Sequence, residues 1–103
     1  MRPTPKYGHA PIRMVEISES DDRPMQLGEF YWHFEDGQRC IVIGLPMNKN
    51  LRVCPAEWTI DHKNHCGASW EWDGNEERPT LKPSLHWEGT WHGWVRNGML
   101  IEA

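Results

Sequence analysis

WEWDGNEERPTLKPSLHWEGTWHGWVRNG, residues Trp70 to Gly98, holds five of the chain's seven tryptophans. Large aromatic rings at strand spacing, separated by turn residues, specify β-structure here. Asn97-Gly98 is the firmest turn signal, because both residues tolerate the left-handed backbone of a type I′ turn. A hairpin closed there pairs Trp91–Arg96 with Met99–Glu102, setting Arg96 opposite Met99, Val95 opposite Leu100 and Trp94 opposite Ile101. One face then carries Trp94 and Ile101, and the other Trp91, Val95 and Leu100. A hairpin apolar on both faces must be covered on both, by a second layer or by a partner.

Upstream the pattern continues. Ser69–Trp72 reads as a short strand with Trp70 and Trp72 on one face, ended by Asp73-Gly74-Asn75, and Pro79 and Pro83 hold Arg78–Ser84 extended. Glu29–Phe34 and Arg39–Leu45 predict an antiparallel hairpin around Glu35-Asp36-Gly37-Gln38. Ile12–Ile17 alternates as a first strand, with Ile12, Met14 and Glu16 on one side and Arg13, Val15 and Ile17 on the other. Ser18–Pro24 is an acidic loop, Asp61–Gly67 an irregular one, and Pro55 leaves Leu51–Ile60 open between a broken strand and a helical turn. Met1–Pro11, with three prolines, is an extended N-terminal arm. The expectation is one domain over residues 1–103, mainly β, an antiparallel sheet of sandwich-like or partly open barrel form with little or no helix.

The chain has 103 residues, one core's worth of sequence. Its net charge of −4 and lack of any Lys/Arg block disfavour general nucleic-acid binding. No run is long and apolar enough to span a membrane, and Met1–Tyr7 lacks the apolar stretch of a signal peptide, so a cytoplasmic protein is expected. The three cysteines, an odd number, suit a reducing compartment and leave free thiols or metal ligands as their readings.

Cys54, His62, His65 and Cys66, with Cys40 in reserve, are the residue types that tetrahedral zinc prefers. No C-x-x-C pair is present, so buried thiols and solvated histidines are the alternative. His86 and His92 flank Glu88-Gly89-Thr90 and approach each other if Leu85–Trp87 pairs with Trp91–Trp94, either as a metal or proton-relay pair or as a cross-strand contact. Glu71, Asp73, Glu76 and Glu77 have no partner that marks them for acid–base work. Ser84, in PTLKPS, lacks a Gly-x-Ser-x-Gly elbow and an identifiable base, which ranks nucleophilic catalysis low. The tryptophans exceed what so small a core readily encloses, and Trp87, Trp91 and Trp94 are the candidates for a partner-binding surface.

The run Trp70-Glu-Trp-Asp-Gly-Asn-Glu-Glu-Arg-Pro-Thr-Leu-Lys-Pro-Ser84, followed by Trp91-His-Gly-Trp94 and the Asn97-Gly98 hairpin, resembles a family of small phage and prophage proteins of unknown function. Some of its members carry the name ammonia monooxygenase. The resemblance is specific over Trp70–Gly98 and looser over Gly8–Pro46, and does not extend to Met47–Ala68. It implies a zinc site built from a cysteine knuckle in the second strand region and a cysteine just before Trp-His-Gly. Here Phe34-Glu-Asp-Gly-Gln-Arg-Cys40 keeps one knuckle cysteine and Gly89-Thr90 replace the later one, so Cys40 and His92 alone carry across. The function expected is that of a non-enzymatic phage or prophage accessory protein in the host cytoplasm. It would act by binding a host or phage protein, inhibiting a host system, with homo-oligomers also compatible. A zinc-binding module or zinc-dependent hydrolase and a virion component are the alternatives.

Overall fold

The structure, a computed structural model, describes residues 7–47, 52–61, 69–87 and 89–103. Among these residues ten strands follow one another: β1 (Ile12–Arg13), β2 (Val15–Glu16), β3 (Glu29–Glu35), β4 (Gln38–Pro46), β5 (Val53–Thr59), β6 (Glu71–Trp72), β7 (Leu81–Lys82), β8 (Leu85–Trp87), β9 (Trp91–Arg96) and β10 (Met99–Glu102). They form two four-stranded sheets, in the orders β1-β10-β9-β8 and β2-β3-β4-β5, and a two-stranded ribbon, β6-β7. All pairings are antiparallel except β2 with β3. The fold is thus mainly β, without helix among the described residues and without a closed barrel.

Local chemistry sets the two long hairpins. Asp36-Gly37 and Asn97-Gly98 both have positive φ at both residues, 51° and 78° in the first and 48° and 71° in the second. Two consecutive left-handed residues match the right-handed twist of the strands they join. The second turn gives the register expected from sequence: Met99 opposite Arg96, Leu100 opposite Val95, Ile101 opposite Trp94. The first pairs Phe30 with Ile43 and Trp32 with Ile41, placing Phe30, Ile41, Ile43 and Leu45 on the inner face with no exposed surface. These side chains form one cluster with Leu85, Trp91, Val95 and Leu100 of the other sheet, so the two sheets share a core. Each such aliphatic or aromatic residue contributes roughly 1.5–3 kcal/mol by leaving water.

Three local expectations change. Ile12–Ile17 is not one strand: β1 joins the first sheet and β2 the second, and the chain crosses at buried Met14, whose N–H donates to the Gly98 carbonyl at 2.8 Å. Pro55 does not break its segment, because β5 is an edge strand and a missing ladder donor costs nothing on an open edge. Arg78–Ser84 is more than an extended linker, since β7 within it pairs with β6, Glu71 opposite Lys82 and Trp72 opposite Leu81.

The ribbon packs its tryptophans on those of the second sheet. Trp70 meets Trp58 edge-on at 4.9 Å between ring centroids, and Trp72 meets Trp32 at 4.7 Å. Arg39 lies over the rings of Trp32, Phe34 and Trp72 at 4.5–5.1 Å and pairs with Glu76 at 3.6 Å. At the start of the described chain, the Glu102 carboxylate accepts the backbone N–H groups of Tyr7, Gly8 and His9. Residues 7–9 of the expected arm are therefore tied to β10.

Candidate active site

The polar residues of the Trp70–Ser84 run hold one another in place. Asp73 Oδ1 accepts from the N–H groups of Asn75 and Thr80, and Asn75 Oδ1 from those of Glu77 and Arg78. Thr80 Oγ1 in turn accepts from Asn97 N at 2.8 Å, and Pro79 O from Gly98 N at 2.9 Å. The ribbon loop is thereby bound to the tip of the β9–β10 hairpin. Three indole N–H groups reach the same segment: Trp72 donates to Asn75 O, Trp32 to Glu76 O and Trp70 to Ser84 O, all at 3.1–3.2 Å. Three fairly rigid aromatic side chains thus fix the backbone that carries Ser84.

Ser84 follows Pro83, whose peptide bond with Lys82 is cis, and immediately precedes β8. The β8–β9 register pairs Leu85 with Gly93, His86 with His92 and Trp87 with Trp91. Leu85, Trp91 and Val95 turn into the core, which leaves Ser84, His86, His92, Trp94 and Arg96 on the outward face. On that face Ser84 Oγ lies 3.1 Å from His92 Nε2, within hydrogen-bond reach, and both residues are half-buried. His92 is held from two further directions. Its ring stands 4.9 Å from that of His86 and 5.8 Å from that of Trp94, and its carbonyl accepts from Ala103 N at 2.9 Å. Among the described residues no carboxylate bonds to the imidazole, so the arrangement is a dyad with aromatic neighbours.

Ser84 lines an open cleft of about 740 Å³. Thr80, Lys82 and Pro83 from the same segment, and Trp94, Arg96 and Asn97 from the end of β9, complete its lining. A hydroxyl that lines a cleft and is bonded to an imidazole is an arrangement suited to nucleophilic acyl transfer. The sequence alone ranks Ser84 low because it offers no identifiable base; the strand register brings His92 within hydrogen-bond reach of it.

Of the residues expected to bind a metal, the described ones, Cys40, Cys54 and His92, are not brought together. Cys40, opposite Thr59, is buried on the outer face of β4, whereas Cys54, opposite Leu45, is on the inner face of β5. Five register positions, about 17 Å of strand, separate them, so the two thiols do not share an ion. Burial, with help from Glu57 and Glu35, pushes the Cys40 thiol above its ordinary range, while Thr59 acts the other way. That is the environment of an inert core thiol. His92 belongs to the other sheet and to Ser84. His62, His65 and Cys66 lie outside the described residues. His33, Glu35 and Glu57 do place ligand atoms within 4.8 Å of one another on the outer face near Cys40, a grouping that includes none of the expected ligands.

Of the tryptophans considered for partner binding, Trp91 is corrected outright. It is 2% exposed, because its ring lies across Gly93 and fills the space where a side chain there would sit. Trp87 and Trp94 are half-buried, and Trp94 lines the cleft. The exposed large apolar side chains are instead Val15, Phe34 and Met47.

Comparison with curated proteins and with solved structures returns no match. One family model does match, described as bacterial ubiquitination-like system serine protease (BubE), over residues 18–102. This overturns the expected non-enzymatic phage accessory protein and favours none of the zinc-module, zinc-hydrolase and virion alternatives. With most of its length matched, the chain belongs to the BubE family of bacterial ubiquitination-like system serine proteases.

Proposed function

We propose that this chain is a serine protease acting within a bacterial ubiquitination-like system, with Ser84 as nucleophile and His92 as general base. The observation that carries the reading is the 3.1 Å contact between Ser84 Oγ and His92 Nε2, in a chain of a serine-protease family. Ser84 Oγ attacks the carbonyl carbon of an amide bond while its proton passes to His92 Nε2. The tetrahedral intermediate collapses with that proton going to the departing amine nitrogen, leaving an ester on Ser84. Water then attacks the ester carbonyl, giving its proton to His92, and the second tetrahedral species releases the carboxylic acid and restores the Ser84 hydroxyl. His86, whose ring stands tilted beside that of His92 on the face away from the core, limits where the imidazole can turn.

A fluorophosphonate probe, which phosphonylates activated serines, tests the assignment directly. Intact-mass spectrometry is expected to show one adduct on the wild-type protein, mapped to Ser84. Ser84→Ala abolishes it, and His92→Ala slows it by about 10²-fold or more, the contribution of a positioned base. An adduct that persists in folded Ser84→Ala protein, or none on the wild type, refutes the proposal.

A further inference from the structure

The cleft beside Ser84 differs in charge from the rest of the molecule. The chain as a whole is acidic, with a net charge of −4, yet Lys82 and Arg96 both line the cleft and no carboxylate is among its lining residues. Among the described residues neither cation is in an ion pair; Arg96 stands 5.0 Å over the Trp94 ring, and Lys82 has Glu71 as its cross-strand partner and lines a second, smaller pocket with Glu71 and Asp73. Thr80 and Asn97, joined by a hydrogen bond, add polar atoms to the lining. Two cations outside ion pairs beside an aromatic ring favour a carboxylate-bearing chain and disfavour a basic one.

Strand geometry locates the carboxylate. Outward-facing residues of β9 recur every 6–7 Å or so, so Trp94 lies one such step and Arg96 two steps beyond His92. An extended peptide advances about 3.3 Å per residue. Continued one step, the β8–β9 register sets Ser84 opposite Trp94, so a scissile bond at Ser84 lies beside Trp94 and the second residue from it falls near Arg96, with Lys82, two residues from Ser84, lining the same cleft.

We propose that the Lys82–Trp94–Arg96 cleft is a substrate-recognition site for an extended peptide with a carboxylate about two residues from the scissile bond. The inference rests on the reading of Ser84 as nucleophile, which makes the cleft the path of the substrate. The carboxylate belongs either to an Asp or Glu side chain or to a free chain terminus.

Binding of fluorescein-labelled, alanine-rich decapeptides to the uncleaving Ser84→Ala protein, read by fluorescence anisotropy, tests it. One peptide carries two glutamates and a control carries glutamines, each with a free and an amidated C-terminus. The glutamate peptide is expected to bind about tenfold tighter than the amidated glutamine control at low ionic strength, with the advantage shrinking as salt rises. It disappears in K82M/R96M protein. Equal tightness of the glutamine peptide with a free terminus supports the site and assigns the carboxylate to the chain end. Equal binding of all four peptides, no saturable binding of any, or a preference that survives K82M/R96M overturns it. The comparisons among peptides and the salt series need no substitution beyond Ser84→Ala, so they stand if K82M/R96M protein misfolds. Fluorophosphonate labelling of wild-type Ser84 is read separately. Labelling without a carboxylate preference removes this inference alone; a preference without labelling removes the protease reading and leaves an anion site.

Discussion

Gly93→Ala tests whether the Trp-His-Gly-Trp run works as a mechanical unit. Gly93 sits between buried Trp91 and Val95 on the inner face of β9, paired on one side with Leu85 and on the other with Glu102. A Cβ there would run into the Ile101 carbonyl oxygen and lie 2.5 Å from Cζ2 of Trp91. Carbon atoms rest at about 3.5–4.0 Å, so the overlap is about 1 Å and falls on backbone and a buried ring, neither of which yields easily. Overpacking of this kind costs about 1–3 kcal/mol. If β9 moves by that 1 Å, the 3.1 Å contact between His92 and Ser84 opens beyond hydrogen-bond reach. A misplacement of that size slows catalysis by about 10²-fold. The assay is paired: thermal melting for the first effect, and the rate of fluorophosphonate labelling at Ser84 for the second. The expected result is a melting temperature lowered by roughly 4–8 °C per kcal/mol, as befits a domain near this size, with labelling slowed in the folded protein. The opposite outcome is well defined, because alanine in an open strand is favoured over glycine by roughly 0.5–1 kcal/mol. A Gly93→Ala protein that melts higher and labels as fast as wild type would refute the packing of Trp91 across Gly93.

Other substitutions probe the supports around the site. Trp70→Phe keeps a ring against Trp58 but loses the N–H donated to Ser84 O; a stability loss of about 1 kcal/mol is expected, with slower labelling of Ser84 in protein that is still folded. Arg39→Ala removes the cation lying over three rings and facing Glu76, which should cost about 1–2 kcal/mol and speed hydrogen exchange over Asn75–Arg78. Glu102→Gln weakens the acceptor of three backbone N–H groups, so limited proteolysis near residues 7–9 should accelerate while the core melts nearly unchanged. Cys40, its thiol raised by burial above the ordinary value of 9.0, keeps its proton in the folded state to a higher pH than in the unfolded one. Its contribution to stability is therefore whole below about pH 9 and is lost as pH climbs past that value. Cys40→Ala should flatten the alkaline limb of a denaturation series, and an unchanged limb would count against the burial of this thiol.

The Asn97-Gly98 hairpin was legible because turn chemistry and the period of two act on neighbouring residues, and together they fix a register to the residue. The crossing at Met14 was not, since alternation is the same whether a strand stays in one sheet or passes to another. Pro55 could be placed only once β5 was known to be an edge, a fact about the whole sheet and not about the segment. The polar run from Asp73 to Thr80 reads locally as a turn, and nothing local says that its carbonyls receive the indoles of Trp32 and Trp72 or that Thr80 receives Asn97.

The candidate pair Ser84–His92 is nonetheless within reach of the same reasoning that gives the hairpin. Pairing Leu85–Trp87 with Trp91–Trp94 sets His86 opposite His92, and one further step of that register sets Ser84 opposite Trp94. Ser84 then stands diagonal to His92 on a shared face, the relation in which cross-strand side chains of ordinary length can meet. Searching for a nucleophile by its neighbours in sequence hides this, because the seven residues between Ser84 and His92 contain a turn and every second side chain among the strand positions points into the core. Parity sorts them: Leu85, Trp91, Gly93 and Val95 inward, Ser84, His86, His92, Trp94 and Arg96 outward. The inward set builds the scaffold, with Trp91 folded over Gly93, and the outward set supplies hydroxyl, base, aromatic wall and cation. One short hairpin is thus core on one face and candidate active site on the other, which is why a hairpin apolar on both faces has its outer face only half covered.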